Sequence, residues 1–248
     1  MITKLELDKL VVKYETSDFI KNDPVQFPHM GKSRNEIELL GFIASLFAYG
    51  NRKIFIKKIN EIIKKSDNDI LNYVKNGDFS NLKNIEYRFS KDYDIVAIFN
   101  ILSKLYNSSN GLSELFEYGY SNNNDIKIML QTSVDYFYSN NEYSVGQGFY
   151  HMIPNPKNGG AMKRMLMYLR WMVRKSDVDL GIWNFIKPKD LLIPLDVHVS
   201  RVSRNMGLLK RKSNDYLAVL ELTESLRKYC PNDPIKYDFA MFGYGIEQ

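Results

Sequence analysis

The sequence has a single cysteine, Cys230, in 248 residues. An internal disulfide is therefore excluded, as is a cysteine-held zinc or iron–sulfur centre. Histidine is nearly as sparse. His29, His151 and His198 are far apart and show no metal-ligand spacing, so no metal is expected. No run of about 18 apolar residues is present. The first residues, Met1-Ile2-Thr3-Lys4-Leu5-Glu6-Leu7-Asp8, lack the pattern of a secretory signal. Together these absences set the expectation of a soluble, cytoplasmic protein without membrane contact. Strict alternation of apolar and polar residues is scarce too, which argues against a sheet protein.

What is present is an ordinary globular composition. The apolar share is 44%, and a chain of this length can bury one large domain or two small lobes. The net charge of +5 permits a polyanionic partner without requiring one, since a Lys- and Asn-rich composition also follows from an AT-rich genome.

Apolar residues recur at three-and-four spacing along most of the chain, so the fold class expected is all-α. A first helix is expected over residues 1–20, with Leu5, Leu7, Leu10 and Val11 inward. The Pro-punctuated segment Lys21 to His29 reads as extended chain, a cover over the core in preference to a site lining. Ser33 and Glu36 have capping-box spacing ahead of a helix, Ile37 to Tyr49, that is apolar almost all round. The break Tyr49-Gly50-Asn51-Arg52 precedes a helix with Phe55, Ile59, Ile62 and Ile63 on one face. Two or three amphipathic helices follow in 66–125. Ser121-Asn122-Asn123-Asn124 reads as a polar loop, and Ile126 to Tyr138 as another helix. No internal repeat or long linker interrupts the chain.

The chemistry concentrates between Pro154 and Arg204. Pro154-Asn155-Pro156-Lys157-Asn158-Gly159-Gly160 is a turn-rich loop directly before a helix that contains Lys163. Met162, Met165, Leu166, Leu169, Met172 and Val173 form its apolar stripe, and Lys163, Arg170 and Arg174 share another face. That face reads either as a solvated basic surface or as one turned toward phosphate. Glycines before a helix N-terminus let backbone N–H groups approach an anion, and no G-K-[ST] follows, so this is not a nucleotide P-loop. Further on, Asp196 precedes an apolar-periodic run, Val199, Val202 and Met206, and reads as an N-cap. A cap role is compatible with catalysis, because backbone N–H bonds hold a carboxylate ionised and fixed in direction. Asp233-Pro234 reads as the start of a last helix, on which Asp238 and Phe242 are four apart and share a face.

At Lys163 and Asp196 the sequence resembles the helix-hairpin-helix superfamily of DNA glycosylases. Ile193-Pro194-Leu195-Asp196-Val197-His198-Val199 is similar to the stretch that carries the family's catalytic Asp. Gly159-Gly160-Ala161-Met162-Lys163 is a looser counterpart of the hairpin and nucleophile, without the usual Leu-Pro-Gly-x-Gly. The 33 residues from Lys163 to Asp196 are similar to the archaeal 8-oxoguanine glycosylase branch, with its lengthened hairpin region. The helix from Glu38 to Asn51 resembles one that ends in a gap-filling polar residue. The resemblance touches residues 36–60 and 146–246. The whole chain is also similar to an uncharacterised bacterial family of comparable length.

The resemblance implies a single domain, 1–248, of two helical lobes with a helix-hairpin-helix motif and an active site in the cleft between them. It implies a DNA glycosylase, with AP lyase activity, that flips a modified base out of duplex DNA, 8-oxoguanine first. Lys163 is the implied nucleophile, with its amine pKa lowered by desolvation or by Arg170, and Asp196 its catalytic partner. Asp238, Phe242 and His198 are the implied base pocket. Asn51, Arg52, Tyr49, Lys157, Gly159, Gly160 and Arg164 are the implied DNA contacts. No cofactor and no obligate protein partner are implied, and the location expected is nucleoid-associated. Three alternatives stay open. They are a glycosylase for another oxidised, alkylated or foreign-DNA base, a non-catalytic helix-hairpin-helix DNA-binding adaptor, and a helical protein–protein module.

Overall fold

The computed structural model describes residues 2–121 and 123–247; Asn122, in the expected polar loop, lies outside them. The chain is all-α. In order, the helices are α1 (Lys4–Tyr14), α2 (Ser17–Ile20), α3 (Arg34–Phe47), α4 (Arg52–Lys65), α5 (Ile70–Asn76), α6 (Asp92–Ser108), α7 (Leu112–Ser121), α8 (Ile126–Ser139), α9 (Gln147–Met152), α10 (Lys163–Val173), α11 (Val197–Asn205), α12 (Tyr216–Arg227) and α13 (Asp238–Glu247). Among the described residues no strand forms, and extended pairing is limited to isolated bridges such as Tyr87 with Ser90 and Gly160 with Asp215. None of these helices is long and apolar enough to cross a membrane.

The chain divides into two compact units, residues 24–156 and the two segments 1–23 and 157–248. In the 24–156 unit, α3 is central and packs on α4, α5 and α7. It starts where the Ser33 side chain accepts from the Glu36 N–H and the Glu36 side chain reaches back, a complete capping box. Its residues from Glu38 to Phe47 are all buried, each large apolar side chain contributing about 1.5–3 kcal/mol of burial. Glu38 is tolerated there because Arg34 pairs with it at 3.0 Å and the Ser113 N–H donates to it at 3.1 Å. On α4, Phe55, Ile59, Ile62 and Ile63 form the expected buried face.

In the other unit, α13 packs on α11 and α1. The expected single helix over 1–20 is broken at Glu15 and Thr16 into α1 and α2. Leu7 is buried, but Leu5 is 66% exposed, because two residues along a helix turn a side chain about 200° away. The segment Lys21 to His29 is not extended. Pro24–Gln26 and Pro28–Met30 form 3₁₀ turns that bury Val25 and Phe27. Pro234 begins a 3₁₀ turn, Pro234–Tyr237, and α13 itself starts at Asp238.

The largest departure from expectation is α10. Every residue from Met165 to Arg174 is buried, including Arg170 at 1% and Arg174 at 5% exposure. The supposed basic face is internal.

Candidate active site

The physical reason is a buried charge network around α10. Arg170 donates to Asp179 at 3.1 Å from both Nε and Nη2, to Asp238 at 2.5 Å, and to Glu15 at 3.4 Å. Its guanidinium also lies 3.6 Å above the Phe239 ring. Arg174 donates to Asp179 at 2.6 Å, to Asp233 at 2.7 Å and to both oxygens of Glu15. Two guanidinium groups thus meet four carboxylates, the condition under which buried charge is sustained. Neither arginine is turned toward phosphate, and Arg170 is not an unpaired cation beside Lys163.

The network sorts the carboxyls. Burial pushes Asp238 up to about 6, with Arg170 pulling the other way. Burial likewise raises Asp179 above the usual carboxylate range, against the pull of Arg170 and Arg174. For Glu15 burial acts upward too, but the Arg174 hydrogen bond and the two arginine charges outweigh it and hold the carboxyl below its ordinary value.

One end of this network opens into a pocket within the same unit, lined by Asp23, Lys163, Met167, Arg170, Trp171, Pro194, Asp196, Asp238, Phe239 and Phe242. Helical period explains four of those ten residues: positions 163, 167, 170 and 171 recur on one side of α10. The half-buried Lys163 is the first residue of α10, and its Nζ donates to Met167 Sδ at 3.2 Å. Ahead of it the chain turns through Gly159 at φ 73° and Met162 at φ 53°, and no side chain caps the helix. A Cβ on Gly159 or Gly160 would meet nothing within 4 Å, so this backbone faces open space.

Asp196 is the N-cap of α11. Its Oδ1 accepts from the N–H groups of His198 at 2.9 Å and Val199 at 2.8 Å. No hydrogen bond to Oδ2 is formed among the described residues. The rigid Pro194 beside it fixes the entry to the helix. The Trp171 indole Nε1 is buried without a hydrogen-bond partner among the described residues, which is costly unless something else satisfies it.

The pocket brings together Lys163, Asp196, Asp238 and Phe242. His198 is not part of its lining. Its Nδ1 sits 3.3 Å from the Gly245 carbonyl and its ring stands edge-on to Phe242 at 5.8 Å, so it backs that aromatic wall. Sequence reasoning missed Asp23 and Trp171. Asp23 was hidden in a segment read as cover, and Trp171 in a helix read as one-sided. Lys157 is exposed and Arg164 half-buried, on either side of the glycines.

In the 24–156 unit, Asn51 is exposed and caps α4, its Oδ1 accepting from Ile54 N–H at 3.3 Å. Arg52 follows as the first residue of α4. Tyr49 is a framework residue. Its hydroxyl donates to the Tyr87 carbonyl at 2.9 Å and the Tyr87 hydroxyl donates back to the Tyr49 carbonyl. The ring of Tyr49 also lies 4.5 Å from His151. Tyr49 therefore fixes the turn that presents Gly50 and Asn51, and is not its tip. Among the described residues no group of three or more His, Cys, Asp or Glu is placed to hold a metal ion.

The chain belongs to the DUF2400 family, whose model, described as a protein of unknown function, matches residues 23–247. No match was found among curated proteins or among solved structures.

Proposed function

We propose that this protein is a DNA glycosylase with AP lyase activity that excises a modified base from duplex DNA. The observation that carries the reading is the meeting of Lys163 and Asp196, 33 residues apart, in one aromatic-walled pocket. A base in a duplex must be extruded before such a pocket can take it. Phe242 offers a ring for stacking, and Asp238 and Trp171 offer polar atoms to the base edge. An oxidised purine such as 8-oxoguanine suits them, with an N–H for the Asp238 carboxylate and a carbonyl for the Trp171 N–H. An alkylated or otherwise modified base is the nearest competitor for the same pocket.

In this reading Asp196 stabilises the cationic sugar as the glycosidic bond breaks, and the bonding pair departs with the base, which is protonated as it leaves. The neutral Lys163 amine forms the bond to C1′, and its surplus proton passes to Asp196. Ring opening gives an imine between Nζ and C1′. Loss of the C2′ proton then expels the 3′ phosphate by β-elimination, and water releases the sugar from the lysine. The open Gly159–Gly160 backbone, Lys157 and Arg164 supply phosphate contacts in the same unit, and Asn51 with Arg52, in the other, fills the space the base vacates.

The deciding test is borohydride trapping on duplexes carrying 8-oxoguanine or an abasic site. A covalent adduct that disappears in Lys163→Gln is expected. Full excision and trapping by Lys163→Gln would defeat the assignment.

A further inference from the structure

The Gly159–Gly160 loop does not stand alone. Gly160 bridges to Asp215, and Tyr216 N–H donates to the Gly159 carbonyl at 2.9 Å. This joins it to the segment between α11 and α12, which carries Lys210, Arg211 and Lys212 in succession. That segment has no regular structure of its own, yet it is held on several sides. Arg204 of α11 donates to the carbonyls of Arg211 at 2.9 Å and Lys212 at 2.8 Å, and to Asn214 Oδ1 at 2.7 Å. Glu221 of α12 accepts from the Lys210 backbone N–H at 2.6 Å. Arg211 turns back onto Asp215 through two bonds of 2.7 and 2.6 Å, while Asp215 caps α12. Lys210 and Lys212 are left exposed on either side of Arg211, and their ammonium groups have no partner among the described residues.

Exposed lysines are ordinarily just solvated. Here the backbone beneath them is ordered by an arginine that could itself have been a surface cation, and by a carboxylate used on a main-chain N–H. The arrangement orders the backbone that carries two exposed positive charges, on a segment bridged to open glycine backbone in the unit that holds the pocket. A flexible loop would lose entropy on engaging a partner; this one is already ordered.

We infer that the Lys210–Lys212 loop, together with Gly159 and Gly160, forms one phosphate-gripping edge for the backbone of duplex DNA. The inference rests on the DNA reading given above and extends it to Lys210 and Lys212, which that reading does not name. Acidic protein partners are disfavoured because the neighbouring Gly159–Gly160 backbone, open where side chains would stand, suits small, closely approaching oxyanions.

The test is the salt dependence of duplex binding by the full-length protein, with Lys210→Ala/Lys212→Ala and Lys210→Arg/Lys212→Arg compared with wild type. Two lost phosphate contacts should lower the magnitude of the slope of log K against log salt by about 1.8. Affinity should fall on the order of 50-fold at 0.1 M salt, and the arginine pair should restore both. Arg204→Ala, with both lysines kept, should lose part of the same affinity because the loop is no longer held. A double alanine variant with the wild-type slope overturns the inference and leaves the glycosylase reading intact if Lys163-dependent trapping persists. A reduced slope with no trapped adduct on any modified base supports the interface and removes the glycosylase reading. A wild-type protein that does not bind duplex at low salt overturns both.

Discussion

Arg170 and Asp238, 68 residues apart in the chain, share a hydrogen bond of 2.5 Å at the floor of the pocket. The bond ties α10, which begins with Lys163, to α13, which carries Phe242. Arg170 also serves Asp179 and Glu15, so it is the common counter-ion for three carboxylates. Removing it leaves Asp238 buried without a counter-ion and Asp179 and Glu15 with Arg174 alone. Arg170→Met should destabilise the protein by about 3 to 5 kcal/mol in a denaturant titration. Arg174→Met, which strands Asp233 and leaves Glu15 and Asp179 with Arg170 alone, should be comparably severe.

The position of Asp238 sets a pH dependence. Its carboxyl is raised from 3.8 to about 6, so between those values the folded protein keeps a proton that the unfolded chain has lost. Stability should therefore fall as pH rises from about 4 to about 6, by up to about 3 kcal/mol. Asp238→Asn should remove that component, read as the difference in unfolding free energy between pH 4 and pH 7. Excision has the opposite sign. Only the ionised carboxylate accepts from a base N–H without first losing a proton, so the rate should show a rise centred near pH 6 in wild type that the variant lacks.

Asp196 has two duties that different substitutions separate. Asp196→Ala loses both the cap and the charge, and should cost about 0.5 to 2 kcal/mol of stability. Asp196→Asn keeps the cap, with an amide oxygen for the His198 and Val199 N–H groups, and should fold like wild type. Both should lose imine trapping on a modified-base duplex. Activity retained by Asp196→Asn would reduce Asp196 to a helix cap.

The turn before α4 makes a separate prediction. Gly50 has φ 76°, and a Cβ there would lie 2.6 Å from Arg88 Nη1 and 2.8 Å from the Tyr87 hydroxyl. Gly50→Ala should cost about 1 to 3 kcal/mol and disturb the Tyr49–Tyr87 exchange, visible as faster amide exchange at residues 87–90. Asn51→Ala should cost about 1 kcal/mol through the lost cap while leaving that exchange in place.

The sequence was most readable where interactions are local. The capping box at Ser33 and Glu36, the buried face of α4 and the cap at Asp196 all depend on residues within a few positions of one another. The interior of α10 was unreadable for the opposite reason. Arg170 and Arg174 look like surface residues until their partners are known, and Glu15 lies 159 residues from Arg174 and Asp233 lies 59 from it. Periodicity can assign a charged residue to a face. It cannot say that carboxylates from three other segments will meet it there. Asp23 was lost in the same way, since a Pro-rich stretch gives no sign of which side chain it will turn into a pocket.

The division of the chain has a consequence for its synthesis. Residues 24–156 form one uninterrupted run, whereas the other unit needs residues from both 1–23 and 157–248. As translation proceeds, the middle run is complete before Lys163 has been made, and it is free to fold first. Helix α1 must meanwhile wait. The Tyr14 ring packs on Gly243, which has room for it only because it lacks a side chain, and that contact waits until α13 is made. Glu15 likewise remains an ordinary solvated carboxylate until Arg174 arrives. A nascent chain halted between residue 156 and α13 would carry a finished middle and an amino-terminal segment still lacking its counterpart.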